Sequence, residues 1–128
     1  MLAAPLVAMT LADLGADVVK VEGLPGGDPL RGLGHSELFN VLNQGKRSLA
    51  VDFSRPEGAQ IVKQLAAEAD VLVENSCEGV LDKSGLGYAE ISEENPDLLY
   101  VSLRGFGGKN SVLAGHDLNF IATSGCGE

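Results

Sequence analysis

Late in the sequence, "AGHDLNF" (114–120) sets a histidine beside an aspartate, behind a glycine and ahead of an apolar run. An imidazole has its pKa near working pH. His116, at a helix start and next to a carboxylate, can therefore take a proton from a bound acid. The same two residues, His116 and Asp117, serve equally well as a helix cap with no chemistry attached. Residue type alone leaves both readings open.

Other candidates are weaker. Lys46 and Arg47 in "LNQGKRSLAVD" (42–52) are adjacent cations between a glycine and a strand, placed either to meet a phosphate or to sit in a solvated loop. "VENSCEG" (73–79) leaves an apolar run and enters a helical pattern. In open α/β sheets ligands dock at strand C-termini, and the N–H groups of a helix start favour anions. An ordinary strand-to-helix loop looks the same. Cys77 has no neighbouring His or Lys to make it a nucleophile, and His35, in a Gly-rich loop, is read as an ordinary loop residue.

Four glycine pairs, at 32–34, 85–87, 105–107 and 125–127, invite a dinucleotide reading. The fingerprint needs a third glycine three positions on, where the first three pairs have Glu37, Glu90 and Asn110 and the fourth runs past residue 128. A P-loop over "GKRS" (45–48) fails as well, because Asn40 stands where the earlier glycine is required.

These residues need elements to hold them. "MLAAPLVAMTLADLG" predicts a buried helix with Pro5 in its first turn and Gly15 at its stop. It lacks the basic start of a signal peptide and carries Asp13 in its apolar run. "ADVVKVE" (16–22), "SLAVDF" (48–53), "DVLVE" (70–74) and "LLYVSLRG" (98–105) predict strands. Ser54 and Glu57 predict a capping box for a helix over "EGAQIVKQLAAEA", with Ile61, Leu65 and Ala69 on one face. Short helices are expected around "EGVLDKSG" and "YAEISEEN", and "GHDLNFIATSG" reads as the opening turns of another. Strand and helix alternate, so the expected class is α/β. The alternation asks for one more strand ahead of the first helix, and the sequence is expected to be truncated at both ends.

The 128 residues suit one domain, and 45% hydrophobic content supplies a core. A net charge of −9 argues against nucleic acid as a partner. No stretch is long and apolar enough to span a membrane. Cys77 and Cys126 have no metal-type spacing and read as reduced thiols of an intracellular protein.

Taken in order, "LAAP", "LADLGADVVKVE", "LNQGKRSLAVDFSRPEG", "ADVLVEN", "GVLDKSGLG", "NPDLLYVSLRGFG" and "AGHDLNF" resemble the family III CoA-transferases, a group that includes the α-methylacyl-CoA racemases. The resemblance covers nearly the whole chain. It implies a single partial CoA-binding domain over 1–128, with an open, mostly parallel, Rossmann-like sheet and helices on both faces. It further implies coenzyme A, carried as an acyl-CoA thioester, as the ligand, with no metal, nicotinamide or flavin. Partners would be neither nucleic acid nor membrane, but a second copy in an interlocked homodimer. The compartment would be the cytoplasm, or the mitochondrion or peroxisome in a eukaryote.

Residue by residue, the "GHD" of the racemases falls on Gly115, His116 and Asp117, making His116 the proton-transfer base. Most true transferases carry a tyrosine there. The CoA-lining loop falls on Glu74–Gly79, with Asn75 matching, and with Ser76, Cys77 and Glu78 in place of an aromatic, an arginine and a proline. Lys83 takes the place of a basic residue that reaches the CoA phosphates. Asn75, Ser76, Lys83, Gly115, Asp117 and Phe120 form the implied CoA-contacting set. Gly23 stands where the family tends to have an arginine, and the loop after "GFG" lacks the usual "GP". The second catalytic group, a carboxylate, would lie past residue 128.

Overall fold

The computed structural model describes residues 2–32, 36–111, 113 and 115–126. His35 and the side chains of Ser36 and Asp117 lie outside that description. The elements run α1 (Ala3–Asp13), β1 (Val19–Gly23), α2 (Ser36–Asn43), β2 (Arg47–Val51), α3 (Pro56–Ala67), β3 (Val71–Glu74), α4 (Tyr88–Glu94), β4 (Leu99–Ser102) and α5 (Asp117–Ser124). The α/β class and the parallel pairing follow the alternation read from the sequence. Several details differ. The segment around "EGVLDKSG" makes only a 3-10 turn at Asp82–Ser84, α2 was not anticipated, and α1, expected to be buried, has no buried residue.

Pairing is parallel throughout but falls into two ladders. β1 lies on β2 with Val19 opposite Arg47, and β3 lies on β4 with Val71 opposite Leu99. One core cluster joins Ala59 and Ala66 of α3 to Leu86, Ile91 and Leu98, with Val62, Leu72 and Tyr100 packed on it. A second joins Leu30, Phe39 and Leu42, with Met9 of α1 against them. Asn95 holds the first cluster closed. Its amide donates to the carbonyls of Ala66 at 3.0 Å and Ala69 at 2.9 Å and so ties the end of α3 to the end of α4. Among the described residues no helix is long and apolar enough to cross a membrane.

The start of α3 departs from expectation. Ser54 forms no capping box with Glu57; its hydroxyl instead bonds the Asp52 carboxylate, and Arg55 is the residue that enters the helix. The cause is Pro56. It needs no donor at the first helical position and holds Arg55 in extended backbone. The buried face differs too. Gly58, Ala59 and Ala66 are buried while Ile61 and Leu65 are exposed, because the small side chains let α3 press close to Ile91 and Leu98.

Gly58 makes a separate close approach, to the Asp52 turn that precedes α3. A Cβ there would stand 2.1 Å from the Asp52 carbonyl oxygen, whereas one at Gly107 would meet nothing within 4 Å. Gly-to-Ala inside a helix ordinarily gains about 1 kcal/mol. At Gly58 the backbone overlap reverses the sign. Gly58→Ala is expected to cost on the order of 2–3 kcal/mol in urea unfolding, and Gly107→Ala to leave the midpoint nearly unmoved. A stabilised Gly58→Ala would show that the Asp52 turn is not held against α3.

Candidate functional site

The functional loops hang from the C-terminal ends of the strands, and at β1 and β3 a buried carboxylate organises the loop that follows. Glu22, 5% exposed, receives both arms of Arg31, Nε on Oε2 and Nη2 on Oε1, each at 2.8 Å. Ser48 Oγ donates to Oε1 at 2.9 Å and the Asp28 N–H to Oε2 at 3.0 Å. Asp28 in turn accepts from Lys20 Nζ at 2.7 Å and the Leu30 N–H at 2.9 Å. Arg31 also stacks on Phe39, its guanidinium carbon 3.9 Å from the ring centre. The Arg31 hydrogen bonds outweigh burial and hold the Glu22 carboxyl at about 2. Burial pushes Asp28 up, but Lys20 and the Leu30 N–H bring it below the usual carboxylate range.

Glu74 does the same work at the end of β3. Its Oε2 accepts the Ser76 N–H at 2.6 Å, and Arg104 Nη2 lies 3.0 Å from Oε1, an ion pair off the hydrogen-bond axis. Arg104 Nη1 also donates to the Ser76 carbonyl. Both backbone groups of Ser76 are thus engaged, and the loop that begins at Asn75 is clamped to the end of β4. Asn75 itself is exposed and Ser76 half-buried.

The next residue, Gly105, passes the contact on. A Cβ at Gly105 would meet the Phe120 ring at 2.7 Å, and one at Gly115 would meet Phe120 and Phe106 at 2.5 and 2.7 Å. The two rings pack with centres 5.3 Å apart. Only glycine lets the backbone this near, so the two glycines and two rings seat the start of α5 on the strand end. His116 is the residue before that helix. Its backbone N–H donates to Asn119 Oδ1 at 3.0 Å, so the cap is supplied by Asn119, and the imidazole is exposed. The structure therefore brings Asn75, Ser76, Gly115, His116 and Phe120 into one chain of contacts through Glu74, Arg104 and Gly105. Lys83 is exposed on the 82–84 turn, and no hydrogen bond or ion pair joins it to this group among the described residues. The Asp117 side chain lies outside the described residues.

The Lys46–Arg47 pair does not form a phosphate site. Lys46 Nζ donates to the carbonyls of Pro5 at 2.8 Å and Leu42 at 2.6 Å and to Asn43 Oδ1 at 3.1 Å, and burial pulls its pKa down. It ties α1 to the end of α2, whose carbonyls favour a cation. Arg47 pairs with Asp17 at 2.6 Å in solvent. Cys77 and Cys126 are free and exposed. Sequence reasoning missed Glu22, Arg31, Glu74 and Arg104. The available signal was a carboxylate closing the apolar runs of β1 and β3, with Arg31 in the loop after β1; the pairing of Glu74 with Arg104 left no local signal.

A parallel α/β domain with clamped loops at its strand C-termini has the architecture in which ligands dock at strand ends. The model of CoA-transferase family III matches residues 1–127, and the chain belongs to that family. It is 43% identical to the mouse succinyl-CoA:glutarate CoA-transferase over 97% of its length and 30% of that protein's. It is also 43% identical to the human α-methylacyl-CoA racemase, over 94% of its length and 30% of that protein's. The crystal structure of a CAIB/BAIF family protein from Brucella suis superposes with a TM-score of 0.91 at 43% identity, covering 97% of this chain and 36% of that one. The chain thus spans about 30% of the length of the curated relatives it matches.

Glu22 provides an acid-range test of the β1 hub. Its folded pKa of about 2 lies below the unfolded 4.5, so its stabilisation is complete above pH 4.5. That contribution, on the order of 3 kcal/mol, is lost as pH falls from 4.5 toward 2. Glu22→Gln should lower stability at pH 7 and flatten the acid limb of a stability-against-pH curve. An acid limb identical to the parent's would remove Glu22 from this role.

Proposed function

We propose that this chain forms the part of an acyl-CoA enzyme that binds CoA and supplies one catalytic base, acting at the α-carbon of a 2-methylacyl-CoA thioester. The observation that carries the reading is the placement of His116. Its imidazole is exposed at the start of α5, while glycines and aromatic rings seat its backbone against Gly105, the neighbour of the Arg104 that clamps Ser76. His116 takes the α-proton, and the leading N–H groups of α5 face the charge that develops on the thioester oxygen. Inversion needs a proton returned from the opposite face, which we assign to a carboxylate outside these 128 residues. Asn75, Ser76 and the N–H groups after them meet the CoA moiety, and Lys83 supplies charge for its phosphates. The whole enzyme works as an interlocked homodimer.

A second reading, transfer of CoA between carboxylic acids, is favoured by the equal identity to a relative named for that activity. It differs in chemistry, since a carboxylate nucleophile then forms anhydride and thioester intermediates and no α-proton moves. The histidine, where most transferases resemble one another in having tyrosine, supports the racemase reading.

Incubating the chain with a 2-methylacyl-CoA in D2O separates these. Deuterium should enter the α-position without inversion, and His116→Ala should slow entry by about a hundredfold or more. Exchange unaffected by His116→Ala would overturn the assignment, and CoA transfer to a free carboxylate without α-exchange by the full-length enzyme would establish the second reading. In calorimetry, Lys83→Ala should weaken CoA binding severalfold and flatten its salt dependence. Unchanged binding would remove Lys83 from the site.

A further inference from the structure

β1 and β3 each end on a buried carboxylate, and the two arginines that meet these groups are used differently. Glu22 receives Nε and Nη2 of Arg31, each at 2.8 Å, in the bidentate geometry that satisfies a carboxylate best. Arg104 brings the same planar fork to Glu74 but does not close it there. Nη2 stands 3.0 Å from Glu74 Oε1 off the hydrogen-bond axis, and it reaches Ser102 Oγ only at 3.4 Å. Glu74 Oε1 has no hydrogen-bond partner among the described residues, although its side chain is only 7% exposed. The other arm, Nη1, donates to the Ser76 carbonyl.

A buried carboxylate oxygen without a donor lowers stability, and turning the fork onto Glu74 would relieve it. The fold keeps the less stable arrangement. What that arrangement secures is the position of Ser76. Among the described residues, the Arg104 bond is the one hydrogen bond that ties residues 75–79 to the end of a neighbouring strand.

The base on which Arg104 stands is firm. The Leu103 N–H donates to the Glu74 carbonyl at 2.8 Å, so the β3–β4 pairing holds the chain up to the residue before it. Gly105 follows directly. A Cβ there would stand 2.7 Å from the Phe120 ring and 3.7 Å from the Gly115 Cα, so its bare backbone carries the start of α5. The side chain of one residue thus holds the 75–79 loop, while the next residue seats the helix that His116 precedes.

We propose that Arg104 is a positioning residue, which sets the spacing between the loop that holds CoA and the imidazole of His116. It acts through the Ser76 carbonyl on one side and Gly105 on the other, and the proposal rests on His116 being the base. Proton transfer from a carbon acid falls steeply when base and carbon are misplaced, whereas the loop can hold the CoA moiety without the base. Arg104 therefore governs rate and not affinity.

Lysine at this position separates stability from placement. Its compact ammonium can settle on Glu74 Oε1, but it lacks the planar fork that also spans to the Ser76 carbonyl. Arg104→Lys should keep the parent's midpoint in urea and bind CoA, by calorimetry, within about threefold of the parent. Exchange of the α-proton at saturating 2-methylacyl-CoA in D2O should fall by about tenfold or more. The pH dependence of exchange should keep its shape, because His116 still supplies the base. Exchange at the parental rate would overturn this inference alone. So would slowing matched by weaker CoA binding or a lower midpoint, the pattern of an arginine that only supports the fold. A parent chain without exchange, or exchange unaffected by His116→Ala, would overturn the catalytic reading and this inference with it.

Discussion

Burying a carboxylate at the end of an apolar strand is unfavourable unless a cation and several donors meet it there. β1 and β3 both end this way, and the loops that follow are shaped by the need to neutralise Glu22 and Glu74. Arg31 reaches back to Glu22 together with the Asp28 N–H, so the loop after β1 folds over its own strand. Arg104 crosses from the end of β4 to Glu74, and the Ser76 N–H closes the other oxygen. These contacts decide where the loop ends sit relative to the sheet. Charge neutralisation at two strand ends therefore positions the site before any ligand arrives.

The second constraint is steric. Gly105 and Gly115 allow Phe106 and Phe120 to pack against bare backbone, and this carries the rigidity of the β4 end to the start of α5. His116 gains a fixed backbone without losing exposure. A base that must meet a carbon acid needs both properties, because effective proton transfer depends on placement as much as on basicity. The cations are distributed in keeping with this. Lys20, Arg31, Lys46, Arg47 and Arg104 all have internal partners, whereas Lys83 is exposed.

Much of the architecture was legible in the sequence, because β-branched runs and helical spacing are local signals that tertiary contacts reinforced here. The ordered motifs carried the family and the placement of His116 beside Gly115. The capping box at Ser54 and Glu57 was a local signal that failed, since Pro56 met the needs of the helix start in another way. The apolar face of α3 was misjudged for a related reason. Ile61 and Leu65 are the larger side chains, but Ala59 and Ala66 are what allow close approach to Ile91.

By itself the sequence determined the alternation of strand and helix, the acidic surface, and the set of residues able to do chemistry at 74–79 and 115–120. Those follow from composition and short-range spacing. The tertiary structure alone decided which cations are consumed internally, which carboxylates are buried, and that the four described strands divide into two ladders. Lys46 and Arg47 are neighbours in sequence, yet one is buried on helix carbonyls and the other pairs with Asp17 in solvent. Glu74 and Arg104 are thirty positions apart and meet only because β3 and β4 are parallel neighbours. Parallel pairing places residues distant in sequence at the same end of the sheet, and no local pattern records which of them will touch.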